Sequence, residues 1–133
     1  MTQEDKELLL KDLCARLPYK VCINDCGTPH RLVNICWDGI KFVVNCSPFG
    51  TGHGRIGTPL FDDNVCYVKP YLRPMSSMTE EEKLMFEGLM MGTDNVPYMS
   101  DVIDWLNKNM FDFRGLIPKD LAISTEVFNP YKN

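Results

Sequence analysis

The hydrophobic period of the chain changes twice, from helical to alternating and back to helical. Over residues 3–17, Leu9, Leu10, Leu13, Cys14 and Leu17 recur at three- and four-residue steps and predict one apolar helix stripe. Thr2 is the expected cap, Glu4, Asp5 and Glu7 lie near the positive N-terminal end, and Pro18 stops the helix. From Tyr19 the period becomes two: Tyr19, Val21 and Ile23 alternate with Lys20, Cys22 and Asn24, a half-buried strand that ends in turn residues 25–29. Strands follow at 31–37 and 40–46, joined by Asp38-Gly39 as a two-residue hairpin turn. Ile40, Phe42, Val44 and Cys46 share one face there, and Lys41, Val43 and Asn45 the other. Residues 47–64 hold four glycines and two prolines and read as a long loop, and 65–69 as a fourth strand.

The helical period returns after a joint at 69–82. Pro70 and Pro74 withhold backbone donors and bias the preceding residues to extended conformations, which predicts a rigid connector. Thr79 followed by Glu82 is a capping-box pattern. It opens a helix near 80–91 in which Leu84, Met85, Leu89 and Met90 are expected to face inward. Pro97 suits the first turn of a further helix to about residue 109, with Val102, Ile103 and Leu106 as its apolar edge. The apolar stretch 110–118 is expected to fold back over the sheet, and 124–133 reads as a loosely held tail. The expected fold is a single α+β domain spanning 1–133. It has an N-terminal helix, a small twisted antiparallel sheet or open barrel of three to five strands, and two or three C-terminal helices.

Composition narrows the classes of function. A chain of 133 residues with 44% hydrophobic and 24% charged residues is ordinary for a globular domain and buries a core without metal or disulfide staples. No apolar run reaches the length of a membrane span, and the acidic start Met1-Thr2-Gln3-Glu4-Asp5 is unlike an export signal, so a cytoplasmic location and no membrane partner are expected. The net charge is −4. Residues 1–70 carry 8 Lys/Arg against 8 Asp/Glu, and residues 71–133 carry 6 against 10, so the excess is acidic and lies in the helical half. That balance lacks the basic footprint of nucleic-acid binding.

Six cysteines stand at 14, 22, 26, 36, 46 and 66. Cys22-x3-Cys26-x3-His30 lacks the paired Cys-x2-Cys knuckles of zinc ribbons, and a reducing compartment keeps thiols free, so buried thiols and no metal or other cofactor are expected. For catalysis, Cys46 or Cys66 could meet His53, but six cysteines and two histidines generate such pairs by chance, and no recognised catalytic constellation accompanies them.

The string Pro70-Tyr71-Leu72-Arg73-Pro74-Met75-Ser76-Ser77-Met78-Thr79-Glu80-Glu81-Glu82, with Asp104-Trp105-Leu106-Asn107-Lys108 and Phe111-Asp112-Phe113-Arg114-Gly115-Leu116-Ile117, resembles a family of small uncharacterised proteins of gut Bacteroidota, their phages and integrated elements. The opening residues 1–19 are similar to it as well, whereas 20–64 depart from it. The resemblance brings no assigned activity or catalytic residue. It implies an accessory protein of a phage or mobile element, one version of which is an inhibitor of a host defence system.

Two sets of candidate site residues follow. Tyr71, Arg73, Trp105 and Arg114 are of the types that dominate binding hot spots, and they point to a host protein partner, with Tyr71 and Arg73 expected to be exposed on the connector. Gly52, His53, Gly54, Arg55 and Gly57 supply backbone amides and positive charge for a nucleotide or phosphate, although neither a Walker pattern nor a strand–glycine–helix context accompanies them.

Overall fold

The computed structural model describes residues 2–25, 27–48, 55–61, 68–92 and 99–132. Its elements are α1 (Gln3–Arg16), β1 (Cys22–Asp25), β2 (Thr28–Trp37), β3 (Phe42–Pro48), β4 (Arg55–Pro59), β5 (Lys69–Leu72), α2 (Glu80–Met91), α3 (Met99–Lys108) and β6 (Ile123–Ser124). The fold is α+β, with an N-terminal helix, a mixed sheet in the order β4-β3-β2-β1-β5-β6, and two further helices. The sheet has six strands rather than three to five, and β6 runs parallel to β5, so it is not purely antiparallel.

Both extra strands come from segments whose sequence does not alternate. β4 arises inside the expected loop 47–64 because β3 offers it a ladder, with Val43 opposite Pro59 and Val44 opposite Thr58. β6 comes from the start of the expected tail and pairs Tyr71 with Ile123 and Leu72 with Ser124. This two-residue partner leaves Pro70 flanked only by β1, where it pairs with Ile23, which is why a proline is accepted inside the sheet. The residues 69–72 expected to form a connector are therefore a strand, and residues 65–67 of the expected fourth strand lie outside the described residues. The β2–β3 hairpin forms, but its turn is one residue later than Asp38-Gly39. Asp38 N donates to Lys41 O, with Gly39 (φ +101°) and Ile40 between them. The Asp38 carboxylate accepts from the amides of Ile40 and Lys41, both at 2.8 Å, and these bonds hold its pKa down.

Two hydrophobic clusters hold the layers. The larger joins α1 to the sheet and to the returning segment through Leu9, Leu13, Val21, Ile23, Leu32, Val44, Leu72 and Leu116. The smaller lies under α2 and α3 and centres on Val102, Leu106 and Phe111. α1 does not bury the predicted stripe alone: Cys14 is exposed, whereas Asp12 and Arg16 are fully buried beside Leu9 and Leu13. Arg16 Nε donates to both Asp12 oxygens at 3.0 Å, and Arg16 Nη2 donates to Phe111 O at 2.6 Å. Arg114 Nη1 donates to the same carboxylate at 2.6 Å. One acidic group thus bridges two arginines and ties α1 to the chain after α3.

Candidate functional site

The four hot-spot candidates are built into the fold. Tyr71 is 4% exposed, packed edge-on against Phe128 at 5.8 Å, so the expected exposure is corrected: as part of β5 it lies between β1 and β6. Trp105 stacks between Phe86 at 6.1 Å and Phe111 at 5.5 Å and serves the smaller cluster. Arg114 is held by Asp12 and by Asn107 Oδ1 at 3.1 Å, and lies over the Phe113 ring at 4.2 Å. Those bonds take the guanidinium out of the surface role expected for it. Arg73 alone reaches a concave surface.

That surface is a groove of about 830 Å³ between the 3-10 turn Met75–Ser77 with the start of α2, the end of α3, and residues 125–132. On its wall Arg73 donates from Nη1 to Glu82 Oε2 at 2.7 Å and from Nη2 to Glu82 Oε1 at 2.6 Å, while the ring of Phe111 lies 4.2 Å from the guanidinium. The hydrogen bonds from Arg73 are the largest reason that the Glu82 carboxyl is held down at about 2, with the Thr79 amide adding to it. Glu82 also completes the predicted capping box: Glu82 N donates to Thr79 Oγ1 at 3.2 Å and Thr79 N donates to Glu82 Oε1 at 3.0 Å. The α2 N-terminus is thereby filled by the chain's own carboxylate. Among its other charged lining residues, Lys108 and Lys132 are matched in number by Glu81 and Glu126, so the groove carries no net positive charge for a phosphate.

The expected tail lines the same groove through Thr125, Glu126, Asn129, Tyr131 and Lys132, and it is not loosely held. Tyr131 donates from its hydroxyl to Tyr71 O at 2.8 Å and accepts from Cys22 N at 3.0 Å. The hydroxyl stands between β1 and β5 where their ladder ends, and burial pushes its pKa up strongly.

The Gly-rich candidates separate. Arg55 and Gly57 are strand residues of β4, with Arg55 opposite Cys46, while Gly52, His53 and Gly54 lie outside the described residues. Cys46 is 4% exposed within the larger cluster, which withdraws it as a nucleophile open to solvent, and Cys66 lies outside the described residues. In the Cys22–Cys26–His30 pattern, Cys22 and His30 are buried, His30 Nδ1 lies 3.0 Å from Thr28 O, and Cys26 lies outside the described residues. Burial pushes the Cys22 thiol up to about 11. Among the described residues no group of three potential metal ligands comes together, and no helix is long and apolar enough to cross a membrane.

One surface went unrecognised in the sequence. α2 buries none of its residues: Glu82, Phe86 and Leu89 turn towards the protein, while Leu84 is 70% exposed, Met85 56% and Met91 59%. The expectation that Leu84, Met85 and Met90 face inward is corrected, because the Arg73–Glu82 pair fixes the rotation of the helix. Ile103 of α3 is likewise exposed rather than part of the apolar edge, and Met99, four residues before it, is exposed too. The signal available in the sequence was the 82–86–89 spacing, which places Glu82 on the inner side with the two apolar residues. No family model, curated protein or solved structure matches this chain.

Proposed function

We propose that this chain is a non-enzymatic binding module, an accessory protein of a phage or mobile element that acts by occupying the surface of a host protein. Inhibition of a host defence system is one form such an activity takes. The observation that carries the reading is the outer side of α2, where Leu84, Met85 and Met91 are exposed although the helix has buried no residue of its own. Scattered exposed apolar residues are ordinary, but Leu84 and Met91 are spaced seven residues apart, which places them on one side of α2. The acidic excess of the helical half supports it as well: α2 and α3 hold Glu80, Glu81, Glu82, Glu87, Asp101 and Asp104 against Lys83 and Lys108. This surface takes over the contact role first given to Tyr71, Arg73, Trp105 and Arg114.

The test is capture from a lysate of a Bacteroidota host by the tagged protein and by a Leu84→Gln/Met91→Gln variant, with small molecules extracted in parallel. A dominant protein held by the wild type and lost by the folded variant supports the reading. Equal capture by both removes α2 from it, and a nucleotide in place of a protein favours the alternative small-ligand reading at residues 52–57.

A further inference from the structure

Gly88 lies inside α2, exposed, four residues after Leu84 and three before Met91 on the same outer side. Among the described residues nothing calls for glycine there. Its φ is not in the left-handed region, and a Cβ added at the position meets no atom of the described residues within 4 Å. Apart from proline, glycine is the least favourable residue in an exposed helix interior. What the missing Cβ provides is room for close approach from outside.

Resting on the binding-module reading, we infer that α2 receives a basic amphipathic helix of its partner, which crosses at Gly88 between Leu84 and Met91. From Leu84 to Met91 the helix rises by about 10 Å, and packed helices bring their axes to roughly 8–10 Å, a separation that small residues at the crossing favour. A dip flanked by two apolar side chains suits a ridge better than a flat strand. Glu81 and Glu87 are exposed beside the row, and Asp101 and Asp104 are exposed on α3. Lys83, the basic residue of α2, is bound to Glu80 at 3.2 Å. The complement is therefore an apolar stripe with lysine or arginine at its edges. Methionine at 85 and 91 adapts to the shape of what it meets.

The probe is a synthetic Leu/Lys peptide of about 18 residues, five helical turns, with apolar residues at helical spacing, titrated into the full chain at physiological salt. A scrambled peptide of the same composition serves as control. The expected result is amide shift perturbation centred on Leu84, Gly88 and Met91, with binding weakened roughly tenfold by Gly88→Gln, a loss of about 1.4 kcal/mol. The scrambled peptide should bind more weakly by a similar factor. No binding of the amphipathic peptide, equal binding of both peptides, or unchanged affinity in Gly88→Gln would each overturn the inference. Failure of the wider reading looks different. If host-protein capture is lost in Leu84→Gln/Met91→Gln but retained in Gly88→Gln, the face stands and the helix crossing falls; if capture survives in both, the face itself is wrong.

Discussion

Tyr131→Phe removes one oxygen and leaves the ring, so it opens no cavity in the larger cluster against which that ring packs. It deletes the acceptor of Cys22 N and the donor to Tyr71 O, two backbone groups at the end of the β1–β5 ladder. A buried polar group left unpaired costs about 1–3 kcal/mol. Two groups are left unpaired, so the expected loss is at least about 2 kcal/mol. Urea denaturation of both proteins measures it directly as a shift in midpoint at unchanged slope. Hydrogen exchange at the Cys22 amide should accelerate beyond the global change. A loss below about 0.5 kcal/mol, within the range of ordinary surface substitutions, would refute the assignment of Tyr131 as the link between β1 and β5 and restore a loosely held C-terminus.

Asp12→Ala leaves Arg16 and Arg114 buried without their shared counter-ion and should cost about 3–5 kcal/mol, read from the same urea curves. Because the Glu82 carboxyl is held at about 2 against an ordinary 4.5, its stabilising contribution is complete above pH 4.5 and is lost as pH falls towards 2. Glu82→Gln should flatten that part of the stability–pH curve. Tyr131, Tyr71 and Cys22 have raised pKa values, so the unfolded chain releases their protons first and stability falls as pH rises above about 9, with Tyr131→Phe removing part of the slope. Gly88→Ala should raise the stability of the isolated protein by up to about 1 kcal/mol, measurable as an increase in Tm, because the added methyl meets open space.

Local interactions made much of the fold legible in the residues alone. Thr2 and Thr79 cap the helices they were expected to cap, because a cap involves groups only three residues apart. The β2–β3 hairpin follows from alternation and from a glycine near its turn, again within one short stretch. What the sequence could not disclose depends on partners far along the chain. Asp12 and Arg16 are not part of the apolar stripe of the first helix, and they are buried because Arg114 and the carbonyls of residues 106, 107 and 111 arrive from the other end of the protein to satisfy them. β4 and β6 lack a strand pattern and exist because neighbouring strands offer them ladders. The outward side of α2, on which the functional reading rests, was decided by Arg73 of the segment after β5 holding Glu82 and thereby setting the rotation of the helix. The residues by themselves determined the caps of α1 and α2 and the β2–β3 hairpin, since those energies act within a turn or two of backbone. Only the tertiary structure decided which faces are buried, since that depends on hydrogen bonds and contacts between segments the chain order keeps apart.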